Sequence, residues 1–109
     1  MKMSGFSFAT TDWTGVSPSE HAGAIGHALW RTQNFGDIRV RMVEYSAGYL
    51  ADHWCSKGHV ILCLEGELET ELADGARFQL RAGDSYQVAD GEPGHRSSTK
   101  TGAKLFIVD

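Results

Sequence analysis

The chain has 109 residues, a formal net charge of −4, 22% charged and 41% hydrophobic side chains. That is enough for one domain with its own core, and it excludes the basic face a nucleic-acid binder needs. No apolar run approaches the roughly 20 residues of a membrane span. Met1–Thr10 lacks the apolar stretch of a signal peptide, and two cysteines in all make a reduced compartment, the cytoplasm, the expected location.

In chain order, Ser17-Pro18-Ser19-Glu20 predicts one short helical turn, with Pro18 at its first helical position. Ala24–Thr32 reads as a strand. Further strands are predicted at Ile38–Tyr45, Tyr49–Cys55, His59–Glu65, Glu67–Leu72, Arg77–Arg81, Ser85–Val88, His95–Ser98 and Lys104–Val108, short runs between Gly, Asp and Ser clusters. Asp74-Gly75 is a two-residue hairpin signal. The spacing predicts an all-β, antiparallel sandwich or barrel in one domain. Residues 36–109 are expected to form its core. Residues 1–35 are expected to pack on it, or on a partner, as strands and a short turn.

The chemistry concentrates between Gly48 and Glu67. Ser56-Lys57-Gly58 fits a three-residue hairpin loop with Gly58 in the left-handed conformation. That loop sets Cys55 across from His59, and His53 across from Ile61. Side chains two apart share a face, so His53, Cys55 and His59 converge. Two imidazoles and a thiolate on one hairpin lack a single donor of a four-coordinate site. His95, which opens a strand after a Gly/Pro turn, is the candidate. His21 and His27 have no such neighbours and read as ordinary surface or core histidines. Cys63 lies about 13 Å along the strand from His59, too far for a Cys55–Cys63 disulfide, and reads as a small buried apolar residue.

Ile38–Tyr45 alternates Arg39, Arg41, Val43 and Tyr45 against Ile38, Val40, Met42 and Glu44. Buried arginine is rare, which favours an outward Arg face. Facing inward instead, Arg41 would hold an anionic substrate beside the metal, in a pocket shared with Ile61 and Tyr86. Tyr49 and Gln87 are further rim candidates, and Trp54, on the face opposite His53 and Cys55, is assigned to packing. On His59–Glu65 the faces His59/Ile61/Cys63/Glu65 and Val60/Leu62/Leu64 are both largely apolar, so both need cover. Phe6, Phe8 and Trp13, or a second subunit, would supply it, and a homodimer is expected.

These residues resemble the cupins, the RmlC-like jelly rolls. In the first cupin motif a Gly precedes His-x-His, a Glu and a closing Gly, and here Gly48 opens it and Gly66 closes it. His53 matches the first His, Cys55 the second, and His59 the Glu position. In the second motif Gly83 and Gly91 match the glycines, His95 matches the His one residue late, and Ala89 replaces the usual Pro. More narrowly, Asp52-His53-Trp54-Cys55 looks like the small uncharacterised cupins named for an Asp-His-Cys-Trp motif.

The resemblance implies a jelly-roll barrel, pairing through sheets, and one divalent metal on His53, Cys55, His59 and His95. A thiolate in place of the usual carboxylate favours Zn, Fe, Ni or Cu over Mn. Three functions stay open because fold alone does not decide between them. They are a metal-dependent enzyme on a small molecule, of dioxygenase or isomerase type, a non-catalytic module sensing a small ligand or metal, and a structural zinc domain. No catalytic acid or base stands out, and Glu44, Glu65 and Glu67 cannot be placed at the metal.

Overall fold

A computed structural model describes residues 2–109. A 3₁₀ turn at Trp13–Gly15 is capped by Asp12, whose carboxylate accepts the Thr14 N–H. Eight strands follow: β1 (Ser19–Ala22), β2 (His27–Phe35), β3 (Ile38–Tyr45), β4 (His59–Leu72), β5 (Arg77–Arg81), β6 (Ser85–Val88), β7 (His95–Ser98) and β8 (Ala103–Val108). All named pairings are antiparallel, in the order β1-β2-β3-β8-β4. Among the described residues no helix is long and apolar enough to cross a membrane.

The hinge of the architecture is β4. Its first half pairs with β8 on one side and β6 on the other. Its second half pairs with β5 and β7. One strand thus passes from one sheet to the other, which closes the jelly roll. The register breaks between Cys63 and Glu65, so Leu64 is the extra residue of a bulge. Gly66 follows at φ 75°, where an added Cβ would strike the Gly102 carbonyl. A one-residue insertion reverses which side chains face in. Ile61 and Cys63 are therefore buried before the bulge, and Leu68 and Thr70 after it. Glu65, expected on the His59 face, is exposed for this reason.

The core joins Val43, Ile61, Cys63, Leu68, Leu80, Leu105 and Ile107. On β8, Leu105 and Ile107 point in, alternating with Lys104 and Phe106. On β3, Arg41 and Val43 point in as well. The Arg face of this strand therefore looks inward, against the expectation from the rarity of buried arginine, because the interior supplies a carboxylate partner described below.

Three local expectations need correction. Ser17–Glu20 is not a helical turn. Ser19 and Glu20 open β1, paired with Trp30 and Leu29, and the turn lies earlier, at Trp13–Gly15. Tyr49–Cys55 is not a strand but makes isolated bridges at Leu50 and Cys55. Ser56–Gly58 is not a hairpin loop, because His59 pairs with Val88 and Ile61 with Tyr86, not with Cys55 and His53. Gly58 also has no positive φ. It is small for another reason: a Cβ there would meet Asp90 N at 2.6 Å and Ala89 C at 2.8 Å.

Outside the sheet, Trp13 sits edge-on to Phe106, and Phe6 lies against Phe35. Phe8 is exposed, as are Val60 and Leu64 on the outer face of β4. Trp54 is half-exposed under the Arg96 guanidinium, not in the core.

Candidate metal centre

Cys55, His59 and His95 offer ligand atoms that all lie within 4.8 Å of one another. Three separate backbone features deliver them. His59 is the first residue of β4, on the inward face with Ile61. His95 is the first residue of β7. Cys55 is held opposite His95 by a two-way backbone pair, Cys55 N–H to His95 C=O at 2.8 Å and the reverse at 2.9 Å. Directly opposed residues of such a pair share a face. Cys55 thus reaches the cluster by pairing with His95, and a loop tethered by the Gly58 N–H to Asp90 Oδ1 (2.6 Å) carries the chain on to His59.

The ring nitrogens His59 Nε2 and His95 Nε2 are 3.0 Å apart, and the Tyr86 hydroxyl is 3.0 Å from the same His59 nitrogen. Neither Nδ1 has a hydrogen-bond partner among the described residues, and both are buried. Burial, then the neighbouring His95, pulls the His59 pKa down to about 4. Burial lowers His95 as well. Both imidazoles are therefore neutral at pH 7, with a lone pair available. A metal needs deprotonated donors of this kind, and two nitrogens with one sulfur suit a zinc-like or other borderline divalent ion. The donor set fits a transition metal.

His53 stands apart from this cluster. Its Nδ1 lies 2.6 Å from Asp52 Oδ1 and its side chain is 72% exposed. It lines the rim of the same cavity, of about 140 Å³, which also holds Arg41, Ile61 and Ile107. Tyr86 borders a second cavity, of about 280 Å³, with Thr70, Leu72, Phe78 and Val88, and His95 lies between the two. Burial raises the Tyr86 pKa to about 12, so its hydroxyl keeps its proton. His21 stacks on Trp30 and hydrogen-bonds Ser19, away from the cluster. Both cysteines are free and Cys63 is buried.

The sequence reading did not single out a second polar group, Asp109 with Arg39. Asp109 is 1% exposed at its side chain. It accepts a fork from Arg39, Nε at 2.8 Å and Nη2 at 2.9 Å, and a third bond from Arg41 Nη2 at 3.0 Å. Burial pushes this carboxyl up, but the Arg39 hydrogen bonds and both arginine charges outweigh burial and hold it below the usual range. Burial and then Arg39 lower Arg41. The Arg41 guanidinium lies 4.5 Å above the Trp30 ring. A signal existed in the sequence: Asp109 directly follows the last strand in the period-2 phase of Leu105 and Ile107, so its carboxylate falls on their side, the core side, just past the end of β8.

No protein-family model matches the chain, and no curated protein matches it. Solved structures do. A predicted oxalate decarboxylase from Thermotoga maritima superposes with a TM-score of 0.78 at 13% identity, over 92% of this chain and 96% of that one. An RmlC-like cupin from Shewanella frigidimarina gives 0.71 at 20% identity, over 94% and 86%. A sugar phosphate isomerase of the cupin superfamily from Silicibacter pomeroyi gives 0.71 at 17%, over 92% and 74%. At such identities the likeness establishes the fold, a cupin jelly roll, and no activity.

Proposed function

We propose that this chain is a metal-dependent enzyme acting on a small molecule, with its metal on Cys55, His59 and His95. One observation carries the reading: three donors converge at a cavity while the fourth candidate, His53, is turned to Asp52. Three protein ligands plus an exchangeable position is the pattern of catalytic sites, whereas structural sites are closed by four. A bound divalent ion would supply Lewis-acid polarisation or an activated water. The protein's own part is to hold the two imidazoles neutral and to present the Tyr86 hydroxyl, protonated, beside His59. Structural likeness to proteins described as a decarboxylase and an isomerase supports small-molecule chemistry. The order Asp52-His53-Trp54-Cys55 supports the narrower kinship with cupins of the Asp-His-Cys-Trp motif.

A second reading has one observation in its favour. His53 lines the same cavity, and turned inward it would close a four-ligand structural zinc site. Metal analysis of protein purified without added metal separates the readings. About one equivalent of transition metal per chain is expected, unchanged in His53→Ala and lost in His59→Ala. Azide should shift the visible spectrum of the cobalt-substituted protein by entering the open position. Less than about half an equivalent in the wild type would overturn metal binding. Loss of metal in His53→Ala, with no azide response, would establish the closed site.

The homodimer is proposed on the outer β4 face, where Val60 and Leu64 are 43% and 38% exposed. Sedimentation of Leu64→Lys, expected to be monomeric beside a dimeric wild type, tests it.

A further inference from the structure

The cavity beside the cluster carries a buried arginine whose donors are not all spent. Two arginines converge there on the side-chain carboxylate of Asp109. Arg39 uses it fully, through the bidentate fork. Arg41 gives it one bond, from Nη2, while its buried Nε has no partner among the described residues. Its side chain is 7% exposed, so water does little to compensate. Arg39 is one-third exposed and satisfied by its fork, so the donor edge left unpaired in the interior belongs to Arg41. An arginine needed only to neutralise Asp109 would be redundant beside Arg39, and burying a charge without full pairing is costly. The Trp30 ring beneath the guanidinium fixes its plane. Ile61 and Ile107 line this cavity together with Arg41 and the cluster, and its volume of about 140 Å³ admits only a small ligand.

We infer that the substrate is a small monocarboxylate, its anionic head seated on Arg41 and its remaining atoms directed at the Cys55–His59–His95 cluster. This rests on the metal-site reading above for the second half of that sentence only. A planar carboxylate suits the planar donor edge of a guanidinium, and Arg41 Nε is the donor left without a partner among the described residues. Asp109 is a positioning residue in this arrangement, since it holds Arg41 in place.

The test uses the zinc-loaded protein, with acetate and glycolate as probes and acetamide as the uncharged match. Binding is read from the rise in unfolding temperature with ligand concentration and from saturable NMR shifts of the cavity residues. Both carboxylates should bind and acetamide should not. Arg41→Gln should weaken carboxylate binding by at least about tenfold with its zinc content intact. Arg41→Lys, which keeps the charge and loses the planar donor edge, should fall between. Equal response to acetate and acetamide in the wild type would overturn the proposal, whether or not the variants fold. So would unchanged carboxylate affinity in Arg41→Gln. Zinc is measured on the same samples. Carboxylate binding by protein that takes up no zinc would support the Arg41 seat and overturn the metal reading. Zinc uptake without carboxylate binding would do the reverse.

Discussion

Buried neutral histidines make the metal-free protein sensitive to mild acid, and His59 sets the size of the effect. Its pKa is pulled from 6.5 to about 4, first by burial and then by His95. Between those values the unfolded chain takes up a proton that the folded chain refuses. Stability is therefore fully present above about pH 6.5 and is lost as pH falls toward about 4. At about 1.4 kcal/mol per pH unit, the gap corresponds to at most about 3 kcal/mol. The ring is only partly buried, and solvent screening reduces this to about 1–2 kcal/mol. Asp109, held below the usual carboxylate range, loses its contribution only at still lower pH. The assay is urea unfolding in chelator at steps between about pH 7 and 4.5, for wild type and His59→Gln, which removes the titrating group. The wild type should lose about 1–2 kcal/mol more than the variant across this window. Parallel curves would refute the reasoning, because they would mean that His59 is solvated enough to protonate in place.

Three further predictions concern the scaffold of the site. Gly58→Ala drives a Cβ into the Asp90 and Ala89 backbone, so a loss of about 1–3 kcal/mol is expected by thermal unfolding, with weaker metal uptake because the tether to His59 is displaced. Asp109→Asn takes from buried Arg41 its side-chain carboxylate partner, and about 3 kcal/mol of destabilisation is expected from denaturant midpoints. Zinc at a thousandfold excess over its Kd should stabilise the folded chain by about 4 kcal/mol, and His59→Ala should abolish that gain in the same thermal scan.

Much of this protein was legible in its sequence because period-2 patterns and turn chemistry are local. β3, β5, β6 and β7 fall where alternation places them. The motif spacing named His53, Cys55, His59 and His95, and the tertiary structure brings three of these together. The route was different from the one the spacing suggests. Cys55 meets His95 across a backbone bridge, a contact between segments 40 residues apart that no local hairpin rule reaches. The bulge at Leu64 is equally non-local, since it depends on β8 pairing both sides of it. Arg41 shows the same limit most clearly. The sequence by itself determined that Arg39 and Arg41 share a face of β3, and that Asp109 follows Leu105 and Ile107 in phase. Only the tertiary structure decided that these faces meet inside the barrel, because burying a guanidinium becomes tolerable only when a carboxylate from a distant part of the chain is brought to it.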